Sequence, residues 1–230
     1  MKNTMIKSEK KIIKNNQIED KILKVAKTEF LEKGFINASM RTIAEKSGFT
    51  TGMLYSRFTD KDMIFTKLVS EGADKFLDYF VKMQENFESL NPDDKIHTMD
   101  DYSTEFDTLF EIIYDHFDSF KLLVCCSAGS TYENFIAKII KIESDNTLIT
   151  FHKLYEQGFI ENYIREDLCQ MLCTALVNGM FTSVVHDFSR KDAYEYMKSL
   201  QKFFTAGWRE IIGVKKNFDK GGENEEEIHS

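Results

Sequence analysis

Proline is nearly missing from this 230-residue chain: Pro92 stands alone, where average usage is about 5%. With eleven glycines, there are few breakers for the many tight turns of an all-β fold, and apolar residues recur at helical rather than alternating spacing. An all-α fold follows. The motifs of common catalysts are missing as well. No nucleophile stands beside a base, no glycine loop is built to cradle phosphate, and no carboxylates pair in a cleft. Gly129, in Ser127-Ala-Gly-Ser-Thr131, is a lone loop glycine, and the acidic residues scatter over expected solvent faces. The chain is therefore read as no enzyme, with no cofactor and no metal.

The N-terminus, Met1-Lys-Asn-Thr-Met-Ile-Lys7, lacks an apolar signal core, so a cytoplasmic location with reduced thiols is expected. Cys169 and Cys173 would share a helix face. There they either pack in the core or present two thiolates to a metal or an oxidant; no histidine or second cysteine pair stands at zinc spacing. The segment that carries them includes Gln170, Asn178, Thr182 and His186, which reads as too polar to span a membrane.

What is present is a charge asymmetry. Net charge is −8 overall, yet residues 1–70 carry 14 Lys and Arg against 8 Asp and Glu, while the remainder carries 16 against 30. Counterion release requires local positive charge near phosphates, not a basic whole protein, and an acidic body discourages indiscriminate binding.

Within the basic part, Ser39-Met-Arg-Thr-Ile-Ala44-Glu-Lys-Ser-Gly48-Phe-Thr50-Thr-Gly-Met-Leu54-Tyr55-Ser-Arg-Phe58-Thr-Asp-Lys61 has the spacing of two short helices crossed at a tight turn. Ala44 is small where the helices approach, Gly48 suits the left-handed stop of the first, and Leu54 lies beneath the second. Thr50 is a candidate N-cap, leaving backbone N–H groups and a small polar surface suited to a major groove. Thr51, Gly52, Met53 and Ser56 are candidate groove contacts, the hydroxyls for base edges and the methionine for a thymine methyl. Arg41, Arg57 and Lys61, with the hydroxyls of Ser39, Thr50 and Tyr55, would set the register on phosphates.

Together with Phe30-Leu-Glu-Lys-Gly34-Phe35, this stretch resembles the N-terminal domain of TetR-type repressors over roughly residues 16–76. The resemblance implies that Tyr55 and Lys61 are phosphate contacts and Phe58 a core residue. It also implies a dimer built on the last two helices, and a helical bundle that encloses an apolar or aromatic effector. The family often has a basic residue where Thr51 stands.

The expected organisation is a flexible basic arm over 1–15, a helix-turn-helix domain over 16–62, an effector-binding and dimerisation domain over 63–213, and a disordered acidic tail over 214–230. Helices are expected near 17–33, 60–87, 100–118, 120–126, 131–157, 165–189 and 191–213, with Asn91-Pro92 as the clearest break. Asn178-Gly179 resembles a hairpin signal, but the four-residue recurrence from Leu168 to Phe188 makes Gly179 a helical point of close approach.

Phe106, Phe110, Tyr114 and Phe117, with Phe151, His152 and Tyr155, form aromatic stripes that are either core or the lining of a ligand pocket. His116, His152, His186 and Asn178 are candidate polar contacts inside it. Leu176, Gly179, Met180, Met197, Leu200, Phe204 and Trp208 are the candidate dimer surface. The expected partners are a palindromic double-stranded operator, a small apolar or aromatic effector and a second copy of the chain, with no membrane. The alternative is a helical sensor or protein-interaction module that no longer reads DNA.

Overall fold

The computed structural model describes the backbone of residues 2–99 and 103–215 and the side chains of 15–99 and 104–215. Ten helices account for most of it: α1 Lys2–Asn37, α2 Met40–Ser47, α3 Thr51–Tyr55, α4 Lys61–Ser89, α5 Pro92–Thr98, α6 Ser103–Asp115, α7 Phe117–Cys125, α8 Phe135–Glu156, α9 Glu166–Val185 and α10 Arg190–Ile212. A single antiparallel bridge, Ile160 to Val214, is the sole β pairing among the described residues.

Helix α1 starts at Lys2 rather than near Gln17, which replaces the expected arm over 1–15 with helix. No glycine or proline interrupts residues 2–33, and extending a helix from its anchored turns is far cheaper than nucleating one. At Gly34 the backbone leaves helical geometry, with φ 72° and ψ 165°. The acidic tail lies outside the described residues from 216 onward.

Two compact units emerge: Met1–Phe76 with Asp115–Phe135, and Leu77–Tyr114 with Ile136–Ser230. The boundary expected at 62/63 therefore falls inside the first unit, and the chain crosses from one unit to the other within α4. What carries the first unit past residue 62 is aromatic packing. Phe30, Phe35 and Phe65 meet with centroids 5.2 to 5.9 Å apart, and Phe76 lies 5.6 Å from Phe120 and 6.4 Å from Phe135.

Helix α7 is bound into this unit by polar contacts as well. Phe35 N–H donates to Cys126 O at 2.9 Å, Ser119 Oγ donates to Leu68 O at 2.7 Å, and Lys27 pairs with Asp118. Glu29, fully buried, accepts from Lys33 at 2.7 Å and Lys46 at 3.1 Å, which ties α1 to α2. Burial pushes its pKa up, but the hydrogen bonds from the two ammonium groups outweigh this and hold it below the usual carboxylate value.

In the second unit, Asn91 caps α5 by accepting from Asp94 N–H at 2.9 Å, with Pro92 in the first turn. Proline fits there because that N–H has no helical acceptor. Around Ile96, Met99, Phe151, Leu154, Ile160, Ile164 and Ile212 a continuous apolar core forms. Lys95 is buried beside it, donating to Glu88 O at 2.8 Å and to Glu88 Oε2 at 3.2 Å. Gly179 is the close approach of α9 to α10: a Cβ there would stand 3.0 Å from Leu200 Cδ2.

By length and composition alone α9 is apolar enough to cross a membrane, which corrects the expectation that it is too polar. Its apolar character is spent on packing, with Cys169, Cys173, Leu176, Val177, Met180, Phe181 and Val184 all buried within the unit.

Candidate nucleic-acid interface and internal cavity

Helices α2 and α3 are closed by local chemistry at each end. Ser39 caps α2 by accepting from Thr42 N–H at 3.4 Å, and Thr50 caps α3 by accepting from Met53 N–H at 3.2 Å. Between them Gly48 holds φ 78°, and its N–H reaches the carbonyls of Ala44 and Glu45. A residue with a Cβ is strained in that conformation. Ile43, Ala44 and Leu54 are wholly buried and Phe58 nearly so, so the opposite face of α3 is presented outward.

That outward face carries Thr50, Gly52, Tyr55 and Ser56, all exposed, with Thr51 and Met53 half-buried. Tyr55 is 51% exposed, and nothing stands within 4 Å of a Cβ built on Gly52. The Ser56 hydroxyl donates to Met53 O at 2.7 Å, so it is engaged within the helix.

The cations differ from their expected use. Lys61 Nζ donates to Ile36 O at 3.0 Å and Ala38 O at 3.2 Å, and sits 4.5 Å from the centre of the Phe35 ring. Burial there lowers its pKa. It closes the carbonyl end of α1 instead of standing clear for a phosphate, a role invisible in sequence because it joins residues 25 apart. Arg41 pairs with Glu45 at 2.9 Å on an exposed face, and Arg57 donates to Asn15 Oδ1 at 3.0 Å.

The second unit contains a partly open cavity of about 110 Å³, well above the roughly 10–15 Å³ that one water requires. From α4 come Phe80, Met83, Gln84 and Phe87, and from α8 Glu143, Asn146, Thr147, Thr150 and Phe151. Helix α9 adds Leu176, Val177 and Met180; α10 adds Gln201, Phe204, Thr205 and Trp208.

Of the expected pocket residues, Phe106 and Phe151 do line it. The others are not among its lining. Phe110 stacks on Tyr114 at 4.6 Å and meets Tyr194 at 5.3 Å, and Tyr114 Oη donates to Phe188 O at 3.3 Å. Phe117 belongs to the first unit. His152 donates through Nε2 to Ile164 O at 2.9 Å and stacks on Tyr163, while Tyr155 and Asn178 are exposed. For Phe110, Tyr114 and His152, an aromatic or polar neighbour within the chain holds the side chain away from the cavity.

Of the expected dimer residues three are buried and four, Gly179, Leu200, Phe204 and Trp208, are half-buried. Leu176, Met180 and Met197 are buried within this one chain, Gly179 and Leu200 touch each other, and Phe204 and Trp208 line the cavity. The apolar faces of α9 and α10 are covered in part by each other and by the core. What they leave outward includes Met171, 60% exposed, and Phe203, 70% exposed.

Glu143 was not anticipated. A signal for it exists in Glu143, Asn146, Thr147 and Thr150, polar residues three and four apart that continue the stripe of Phe135 and Ile139, both buried. Polar residues recurring at core spacing mark a face that meets something other than hydrocarbon. Gln84 Nε2 donates to Glu143 Oε2 at 2.6 Å. Burial pushes the Glu143 pKa up to about 7, against the opposing hydrogen bonds from Gln84 and Thr147.

A capped pair of short helices with a left-handed glycine between them, presenting the outer face of the second, defines a helix-turn-helix protein of the DNA-reading kind. Residues 22–68 match the family model described as bacterial regulatory proteins, tetR family. Over those residues the chain is similar to the DNA-binding domain of TetR-type regulators. Over 56 residues it is 38% identical to YfiR of Bacillus subtilis strain 168, an uncharacterized HTH-type transcriptional regulator; the match takes in 24% of this chain and spans about a quarter of that relative, 27%.

Solved structures extend the likeness in fold to most of the chain. PfmR, a TetR family transcriptional regulator from Thermus thermophilus, superposes with a TM-score of 0.52 at 17% identity, over 86% of this chain and 97% of that one. A TetR-like transcriptional regulator from Rhodococcus sp. RHA1 gives 0.51 at 17% identity, over 83% and 96%.

Proposed function

We propose that this chain is a cytoplasmic transcriptional repressor that binds a palindromic operator as a homodimer and is released by a small, largely apolar effector held in the cavity of the second unit. The observation that carries the reading is the capped α2–α3 pair with Thr51, Gly52, Met53 and Tyr55 on the outer side of α3. Five residues of helix read little sequence alone; two copies about 34 Å apart, one duplex turn, double the sequence contacted. The last two helices are the surface assigned to the second copy, where Gly179, Leu200, Phe204 and Trp208 are half-buried and Phe203 is exposed.

Effector action runs through α4 in this reading. Phe80, Met83, Gln84 and Phe87 of that helix line the cavity, and its earlier residues Ile64, Phe65 and Val69 are buried in the unit that holds the reading pair. Only a difference in affinity between two states shifts an equilibrium. A coupling of about 1–3 kcal/mol weakens DNA binding about 5-fold to 150-fold.

Mobility shift of the chain's own upstream DNA, titrated with salt, tests the reading. Tyr55→Ala should weaken binding to every duplex alike with the salt slope kept, since a hydroxyl releases no counterion, whereas Met53→Ala should alter preference at one or two base pairs by about 1–3 kcal/mol. If neither variant differs from the parent, α3 is not the reading helix. A second reading, a sensor that does not engage DNA, draws on Lys61 being held by backbone carbonyls; lack of salt-sensitive attraction to any duplex would favour it.

A further inference from the structure

Glu143 is the sole charged side chain among the described residues that line the cavity, and no lysine, arginine or histidine stands with it. Helix α4 offers it the Gln84 amide at 2.6 Å, and its own helix the Thr147 hydroxyl. The carboxyl is thus oriented by neutral groups but has no cation beside it. Removing an ionised carboxylate from water is costly unless an opposite charge accompanies it. Around it lie aromatic faces, with Trp208 and Phe151 meeting edge-on at 5.0 Å, which attract a cation through their quadrupoles.

Resting on the effector reading above, we propose that the cavity selects a lipophilic cation, an amine or amidinium whose charged end pairs with Glu143 while its apolar body lies against Phe106, Phe151, Phe204 and Trp208. A neutral ligand of the same shape leaves the carboxyl without its counter-charge. A ligand ending in a carboxylate sets a second negative group against it and finds no basic residue to meet it.

Trp208 is the chain's single tryptophan, so its emission reports occupancy directly. Three probes of one shape, 4-phenylbutylamine, 4-phenylbutanol and 4-phenylbutyrate, are titrated into the full-length chain. The amine should bind tighter than the alcohol by about tenfold or more, the gain typical of a charge-assisted hydrogen bond, and the butyrate weakest. In Glu143→Gln the amine should lose its advantage over the alcohol.

Equal binding of all three probes, or amine binding that is indifferent to Glu143→Gln, overturns this inference and leaves the effector cavity standing. A Trp208 signal unmoved by any of the three at millimolar concentration removes both. Should the variant not fold, the three-probe comparison on the unaltered chain decides alone.

Discussion

Placing a carboxyl inside an apolar cavity makes the folded chain sensitive to base in a calculable way. Glu143 is shifted from its ordinary 4.5 to about 7, chiefly by burial. Below pH 4.5 it is protonated in both the folded and the unfolded chain and contributes no difference. Between 4.5 and 7 the unfolded chain sheds this proton while the folded chain retains it, so stability falls as pH rises, and the loss reaches its full size above about 7. At about 1.36 kcal/mol per unit, the shift corresponds to up to roughly 3 kcal/mol.

Glu143→Gln removes the ionisation while keeping a side chain of the same length for Gln84. Urea unfolding of parent and variant at a series of values from about pH 4 to about pH 8 should give a stability difference that moves in favour of the variant by up to roughly 3 kcal/mol between the two ends of the series. Taking the difference cancels the other titrating groups, among them Glu29 and Glu88, whose pKa values are shifted downward. A difference independent of pH would show that Glu143 is solvated as freely as a surface carboxylate, and the argument would fail.

Two further outcomes concern the first unit. Gly48→Ala, at φ 78°, should destabilise the fold by about 1–2 kcal/mol, the cost of a left-handed Cβ, read as a lowered urea midpoint with an unchanged slope. Glu29→Gln should cost about 1–3 kcal/mol by leaving the ammonium groups of Lys33 and Lys46 without their shared anion. Because the Glu29 pKa is held down, its contribution is present at neutral pH and lost as pH falls through the acid range; the variant should therefore approach the parent below about pH 4.

What was legible in the sequence is what chain neighbours decide among themselves. Gly48 and Thr50 act within three or four residues of their own positions, so capping and turn chemistry announce them; the caps made by Ser39 and Asn91 are equally local. Buried faces were readable as faces, but not what each would meet. Phe110 and Tyr114 meet each other, and Phe110 meets Tyr194, while Leu176 and Met180 line the cavity. The cavity draws on α4, α6, α8, α9, α10 and Met99 at the end of α5, so its lining depends on tertiary packing that no local pattern encodes. For a related reason the carbonyls that hold Lys61 Nζ, far away in sequence, are not readable from its neighbours.

The discontinuous first unit bears on any attempt to excise a minimal helix-turn-helix fragment. A fragment cut after Phe76 would keep the reading pair but strip away Phe120 and Phe135, the two rings on which Phe76 rests, leaving a bare hydrophobic sole prone to clumping. A soluble miniature would have to splice residues 115–135 back in through an artificial linker, or repaint that sole with polar side chains.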